Sequence, residues 1–214
     1  MNLITENYLT YQNHIPQTGQ HILAQQANDC IIVYQAFNPF IANYAIEHQQ
    51  FGGDAYSFTR MSWIKPNFLW MMYRCGWAQK ENQQHVLAIW IKATDFDFIL
   101  SKAAYSSYKE GIYANRDEWK KHLEETAVRL QWDPDHDPHG KPQQRRAIQL
   151  GMKGDVLKTF CTEMILKIED ITPFVKQQYQ FIAKNELDKL SVPEERVYLP
   201  KDDKLKEFLG LDGF

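Results

Sequence analysis

The segment RMSWIKPNFLWMMYRCGW, residues 60–77, combines the most aromatic and apolar run of the chain with three basic side chains. Pro66 is a favourable first residue for a helix and Gly76 a favourable stop, so the pattern predicts a helix over residues 66–75. Apolar or aromatic side chains cover every side of this helix, and a helix that is apolar all round is normally buried. The segment therefore predicts a central core helix against which the rest of the fold packs.

Strands and further helices are predicted on both sides of this segment. Residues 30–37, CIIVYQAF, form an apolar, β-branched run that predicts a buried strand. Asn38 with Pro39 predicts the start of a helix that continues to about residue 50. The run HVLAIWIK, residues 85–92, predicts a second buried strand. The remaining predictions are helices over 19–27, 96–103, 115–125, 155–168, 173–190 and 205–211, strands over 128–132 and 146–152, and a turn-rich loop over 133–142.

The predicted helices and strands follow one another without regular alternation. The glycine fingerprint of dinucleotide-binding folds and the P-loop are both missing from the sequence. These features predict an α+β fold in one domain, with a mixed or split β-sheet packed with helices and a helical C-terminal part. The expected boundaries are a polar N-terminal segment, 1–28, a core domain, 29–190, and a C-terminal tail, 191–214.

Composition and charge narrow the class of protein. The 214 residues carry a net charge of −3 with a pI of about 6.2, which argues against non-specific nucleic-acid binding by bulk charge. No run of 18 apolar residues occurs, so no membrane span is expected, and the first residues lack the pattern of a signal peptide. The three cysteines are scattered, which is typical of a reduced, cytoplasmic protein. The sequence leaves the oligomeric state open.

Arg60, Lys65 and Arg74 are the unusual members of the aromatic segment, because basic side chains are rarely fully buried without a partner. One interpretation is that they pair with internal carboxylates. The other is that they face a pocket that binds an anion, since guanidinium groups suit phosphate and carboxylate. The face of Trp63 suits a base or a nicotinamide ring. The second interpretation predicts a nucleotide or nucleic-acid ligand, and the two stand as alternatives.

Polar residues near the ends of predicted strands form a second set of candidates. Gln131 and Asp133 end a strand next to a loop, where functional groups often lie. Gln149 alternates with apolar neighbours and can point into a polar cavity, and Arg146 adds positive potential; an ordinary edge strand is the alternative. Glu169 is a candidate catalytic carboxylate, with helix capping as the alternative.

The acidic, histidine-containing residues after this strand do not predict a metal site. Asp133, Asp135, His136, Asp137 and His139 match the spacing of neither an EF-hand nor a zinc site. A solvated, turn-forming loop is the favoured interpretation. No metal is therefore expected as a cofactor.

Six segments follow one another in a characteristic order: VYQAFNPFIANYAI, RMSWIKPNFLWMMYRCGWA, HVLAIWI, VRLQWDPD, RRAIQLGM and IEDIT. Together they resemble the domain-of-unknown-function family 4291. The similarity covers roughly residues 31–172, and the string RM-x-WIKP-x-FLWMMYR-x-GWA is its most specific part. The resemblance implies a small stand-alone domain of about this length, and it brings no established activity with it.

A weaker similarity links the first predicted strand and helix to the opening of the ADP-ribosyltransferase-type fold. Enzymes of that type bind NAD in a cleft of a split β-sheet. On that analogy Tyr34 or Gln35 would hold the nucleotide, and Arg60 and Lys65 would face its phosphates. Gln149 or Glu169 would stand where the late carboxylate of those enzymes acts, although fold-level similarity does not establish function.

Three hypotheses about function follow. The first is a nucleotide- or nucleic-acid-binding protein, including an ADP-ribosyltransferase-like enzyme that acts on NAD or RNA, with NAD as its cofactor. The second is a nucleic-acid-binding module without catalysis that also uses Arg145 and Arg146. The third is a structural or interaction protein with residues 60–77 as its core. The candidate catalytic residues are Arg60, Lys65, Gln149 and Glu169, and the candidate cofactor-binding residues are Tyr34, Gln35, Trp63, Arg74, Gln131, Asp133 and Arg146.

Overall fold

The computed structural model describes residues 2–213, which contain thirteen strands and eight α-helices. In chain order the strands are β1 (Thr5–Asn7), β2 (Gly19–Gln20), β3 (Ile22–Ala24), β4 (Gln26–Ala27), β5 (Cys30–Phe37), β6 (Ser62–Ile64), β7 (His85–Lys92), β8 (Ala103–Tyr105), β9 (Val128–His136), β10 (Pro142–Met152), β11 (Ile165–Asp170), β12 (Ser191–Pro193) and β13 (Arg196–Tyr198). The helices are α1 (Tyr8–His14), α2 (Pro39–His48), α3 (Phe68–Cys75), α4 (Ala93–Ser101), α5 (Arg116–Glu125), α6 (Gly154–Thr159), α7 (Thr172–Ala183) and α8 (Asp203–Leu209), and a π-helical turn, Phe160–Met164, follows α6.

Two sheets form the centre of the fold. In the first sheet β11, β7, β5 and β4 lie side by side in that order, all antiparallel. In the second sheet the order is β2, β10, β9 and β8, and β6 also pairs with β10. The pairs β2–β10 and β8–β9 are parallel, which makes the second sheet mixed. The predicted α+β class is confirmed.

A backbone pairing between Tyr34 and Lys65 joins the two sheets just after β6. Tyr34 N donates a hydrogen bond to the Lys65 carbonyl at 2.7 Å, and Lys65 N donates to the Tyr34 carbonyl at 3.2 Å. This pairing fixes the backbone of Lys65 against the middle of β5. The position of Lys65 is therefore set by both sheets at once.

Strands β5 and β7 are buried on both faces, which explains their continuous apolar sequences. Successive side chains of a strand point to opposite faces of the sheet. Val33 and Ile89 accordingly enter one hydrophobic cluster, which includes side chains of the second sheet. Ile32 and Trp90 enter a separate cluster that includes α3 and α7. The first sheet thus separates two halves of the core.

Helix α3 is the buried helix that the aromatic segment predicts. It begins at Phe68 and not at Pro66 because Asn67 caps it, accepting a hydrogen bond from Trp70 N at 2.7 Å. It ends at Gly76, whose φ of 57° lies in the left-handed region that glycine adopts without strain. Most of its side chains are buried, so the helix belongs to the core.

The N- and C-terminal segments pair with each other. Strand β1 lies antiparallel to β12, and β3 lies antiparallel to β13. Tyr11, Leu23 and Leu209 bring buried side chains from these segments into the core. Residues 2–28 and 191–213 therefore pack into the same body as the central strands. Within residues 2–213, none of the helices combines the length and the apolar character that crossing a membrane requires.

Three local predictions are wrong, each because strand pairing overrides the local pattern. Residues 19–27 form β2, β3 and β4 where a helix was expected, since they pair with β10, β13 and β5. The helix expected over 155–168 ends after α6 and the π-helical turn, and its last residues pair with β7 as β11. The loop expected over 133–142 is shorter, since β9 continues to His136 and β10 begins at Pro142.

Candidate functional site

A cavity of about 170 Å³ lies beside the C-terminal end of β5, between β6 and α3. Its lining residues are Gln35, Ala36, Phe37, Met61, Ser62, Trp63, Lys65, Met71, Arg74 and Gln83. Four of the candidate residues from the sequence are in this set, and two of the four are basic. No aspartate or glutamate lines the cavity, so its charged wall is cationic.

Lys65 is the buried base of this cavity, with 6% of its surface exposed. Within residues 2–213 its ammonium group makes neither a hydrogen bond nor an ion pair. Burial, and then the positive charge of Arg74, lower the pKa of Lys65 to about 8, against the opposing effect of the Asp133 carboxylate. An amine without an internal partner therefore faces a cavity large enough for part of a ligand.

Arg74 and Arg60 lie on the more open parts of the same cleft. Arg74 is an exposed residue of α3 on the wall of the Lys65 cavity. Arg60 is exposed in the loop before β6 and lines a neighbouring cavity of about 530 Å³. The two cavities share Phe37, Met61 and Ser62. Neither guanidinium group forms an ion pair within residues 2–213, so the internal salt-bridge interpretation does not hold for them.

Gln35 connects β5 to β6 at the wall of the cavity. Its Nε2 donates hydrogen bonds to Ser62 Oγ at 2.7 Å and to the Trp63 carbonyl at 3.1 Å. The side chain is 3% exposed, and its Oε1 accepts no hydrogen bond from the described residues. Gln35 thus holds the strand that presents Trp63 and leads to Lys65.

Trp63 is half-buried and lies opposite Gly151 in the β6–β10 pair. A methyl group on Gly151 would lie 2.6 Å from Met61 Sδ and 2.8 Å from Trp63 Cε2. The glycine is therefore required by the close approach of the indole ring to β10, and not by its backbone angles.

Gly151→Ala is expected to lower the free energy of unfolding by about 1–3 kcal/mol, because Trp63 must move away from its place on β10. Urea denaturation of the variant and of the wild-type protein measures this difference. An unchanged free energy of unfolding would show that the ring of Trp63 has room to shift without cost.

Asp133 lies beside this site with both carboxylate oxygens occupied. Gln131 Nε2 donates to Asp133 Oδ1 at 2.8 Å, and Gln149 Nε2 donates to Asp133 Oδ2 at 2.7 Å. Gln131 and Gln149 stand opposite each other in the β9–β10 pair. None of the three lines the cavity, although the charge of Asp133 acts on Lys65. These residues bond to one another outside the cavity, and they act on the site only through the charge of Asp133.

Three further predicted site residues, Tyr34, Arg146 and Glu169, also lie outside the cavity. Tyr34 is fully buried in the core, because it points to the opposite face of β5 from Gln35. Arg146 Nη2 donates a hydrogen bond to the Trp132 carbonyl at 2.8 Å. Glu169 lies on β11 and accepts a hydrogen bond from Lys167 at 2.9 Å. The structure brings none of these residues to the cavity wall.

Arg145, which the nucleic-acid hypothesis also uses, does not contribute to a positive surface. It is buried, and its Nε donates to Asp135 Oδ2 at 2.5 Å in an ion pair of which Asp135 is fully buried. The continuous positive stripe of the nucleic-acid hypothesis therefore lacks this residue. Among residues 2–213 no group of three or more His, Cys, Asp or Glu side chains has an arrangement that could hold a metal ion.

Glu195 is an important buried residue that local sequence patterns do not reveal. Its carboxyl group accepts hydrogen bonds from Phe68 N at 2.6 Å, from the Tyr11 hydroxyl at 2.9 Å and from Asn67 Nδ2 at 3.1 Å. It is 1% exposed, and burial raises its pKa to about 8. Glu195 thereby holds the first turn of α3, the helix that carries Arg74. Its partners lie far away along the chain, so no short motif contains them.

The fold and the cleft together define a single-domain α+β protein in which Lys65, Arg74 and Trp63 line one cavity, and the two basic residues have no ion-pair partner among residues 2–213. The family model described as Domain of unknown function (DUF4291) matches residues 21–198, and the chain belongs to this family. No match was found among curated proteins.

Proposed function

We propose that the protein binds a nucleotide through its phosphate groups in the cleft between β6 and α3. The observation that carries the proposal is the unpaired ammonium of Lys65, buried at the wall of a cavity that holds Arg74 and no carboxylate. A buried charge without a partner is costly to the fold. An anionic ligand would supply the partner that the described residues, 2–213, do not provide.

A nucleotide suits this cleft better than a simple anion for two reasons. Trp63 gives the small cavity an aromatic wall, and aromatic side chains bind planar rings. The neighbouring cavity of about 530 Å³ extends the site past Met61 to Arg60, which provides a second place for phosphate. NAD, ATP and short RNA are the ligands with which we would begin.

Ligand binding is the part of the proposal that the geometry supports most directly. Of the candidate catalytic residues, only Lys65 lines the small cavity, since Gln149 is bonded to Asp133 and Glu169 to Lys167. A transferase that acts on NAD or RNA would therefore need Lys65 or a group of the substrate for its acid–base chemistry. The three free cysteines support a reducing compartment such as the cytoplasm as the place of action.

Arg74→Gln is expected to weaken the binding of ATP or NAD at least tenfold, about 1.4 kcal/mol, because the ligand loses a charge-assisted hydrogen bond. Isothermal titration calorimetry measures the affinity, and a thermal-shift screen selects the ligand, since a ligand of the native state raises the melting temperature. The matched control is Arg116→Gln, which changes an exposed arginine of α5 far along the chain. Binding that is equal in both variants, or absent from the wild-type protein, would contradict the proposal.

A further inference from the structure

We propose that Lys65 is a nucleophile that forms an imine with a small carbonyl compound bearing a carboxylate or phosphate group, which Arg74 holds at the mouth of the cavity. The inference goes beyond nucleotide binding, because it assigns a covalent reaction to one amine of the site. It needs no nucleotide, so the two proposals can fail separately.

The surroundings of Lys65 are those that favour a reactive amine. A lysine becomes a nucleophile when it is desolvated or placed next to another cation, because both effects favour the neutral amine. Lys65 meets both conditions, since it is 6% exposed and shares its cavity with Arg74. These two effects lower its pKa to about 8, so about a tenth of the amine is neutral at pH 7.

The charged groups around the amine leave it free to react. Within the described chain the side-chain nitrogen of Lys65 has no hydrogen bond or ion pair that a substrate would first have to break. The nearby Asp133 carboxylate favours the ammonium form, but Gln131 and Gln149 hold it and it forms no ion pair with Lys65. The backbone of Lys65 is fixed by its two hydrogen bonds to Tyr34, so the side chain starts from a rigid position.

The depth of the two basic residues indicates the shape of the substrate. Lys65 and Arg74 line the same cavity, but Lys65 is buried and Arg74 is exposed, so the carbonyl group would lie inward and the anionic group outward. Arginine binds carboxylate and phosphate through two parallel hydrogen bonds. The cavity of about 170 Å³ restricts the inner part of the substrate to a few non-hydrogen atoms.

The reaction balances without any further reagent. The ammonium first releases a proton to solvent, and the lone pair of the neutral Nζ then attacks the carbonyl carbon. The carbinolamine loses water, so the C=O bond is replaced by C=N and no group is oxidised or reduced. Arg74 binds the anionic group of the substrate and takes no part in the proton transfers.

The experiment traps the imine with sodium cyanoborohydride and locates the reduced adduct by peptide mass spectrometry. Pyruvate and glyceraldehyde 3-phosphate serve as the anionic carbonyl compounds, and acetone and glyceraldehyde as their uncharged counterparts. We expect Lys65 to be labelled at least tenfold faster than any other lysine of the wild-type protein by the anionic compounds. The labelling rate should rise with pH around a midpoint near 8.

Two variants separate this reaction from the general reactivity of lysines. Arg74→Gln should slow labelling of Lys65 by pyruvate or glyceraldehyde 3-phosphate at least ten times more than labelling by acetone, which it slows only because the pKa of Lys65 rises when the charge of Arg74 is lost. Lys121→Arg, which alters an exposed lysine of α5, should change neither rate. Labelling spread evenly over the lysines, or a Lys65 that does not react, would overturn the inference. If ATP or NAD protects Lys65 from labelling, the imine and the nucleotide use the same site. If Lys65 is labelled but no nucleotide binds, the inference is supported and the proposed nucleotide binding is not.

Discussion

Glu195→Ala is expected to lower the free energy of unfolding by about 3–5 kcal/mol, one of the two largest effects that we predict for a single substitution. The variant leaves three buried donors without an acceptor: the backbone N–H of Phe68, the hydroxyl of Tyr11 and the amide of Asn67. Urea denaturation measures the loss. The matched control is Glu194→Ala, which removes a more exposed carboxylate and its ion pair with Arg196 and should change stability by less than about 1 kcal/mol.

The same carboxyl group gives the protein a dependence on pH. Burial raises the pKa of Glu195 from 4.5 to about 8, although the hydrogen bonds from Phe68 and Tyr11 act in the opposite direction. Between these two values the unfolded chain releases the proton that the folded chain keeps, so stability falls as pH rises from about 5 to 8. In the Glu195→Gln variant the amide does not titrate, so the free energy of unfolding of this variant should not fall between about pH 5 and 8. A parallel decline in both proteins would assign the pH dependence to other groups.

Local patterns were sufficient to predict the elements that are buried on all sides. The runs in β5, β7 and α3 are continuously apolar and are bounded by capping or turn residues, so the sequence itself indicates that each element is buried and where it begins and ends. Asn38 and Gly76 act as predicted, at the start of α2 and the end of α3. Residues 165–170 show the limit, because their helical spacing is overridden by the free edge of β7, which lies far away along the chain.

The candidate site could be predicted in part for a similar reason. Lys65 and Arg74 stand out because a basic residue in an apolar stretch needs a special explanation, and in the structure both line one cavity. Tyr34 and Gln35 could not be distinguished, since they are neighbours on one strand and a shift of one residue changes the face. Glu195 could not be found at all, because its role depends on the approach of the C-terminal segment to α3.

Lys65→Met is expected to make the protein more stable and at the same time unable to bind its ligand. The lowering of the Lys65 pKa from 10.5 to about 8 corresponds to roughly 3 kcal/mol of unfavourable energy in the folded state while the amine is charged. Methionine has a similar length and an apolar side chain that adapts to irregular spaces. We therefore expect the free energy of unfolding at pH 7 to rise by about 1–3 kcal/mol, measured by urea denaturation against Lys121→Met as the control.

The pH dependence of this difference identifies its cause. Between pH 8 and 10.5 the unfolded wild-type chain still binds the Lys65 proton that the folded chain has released, so wild-type stability should rise relative to the variant. Above that range the advantage of methionine should disappear, because the amine is neutral in both states. A destabilised variant at pH 7 would instead mean that the ammonium serves the fold. A more stable variant that has lost at least tenfold in affinity for ATP or NAD would show that the lysine is kept for binding at a cost in stability, as is common for residues of functional sites.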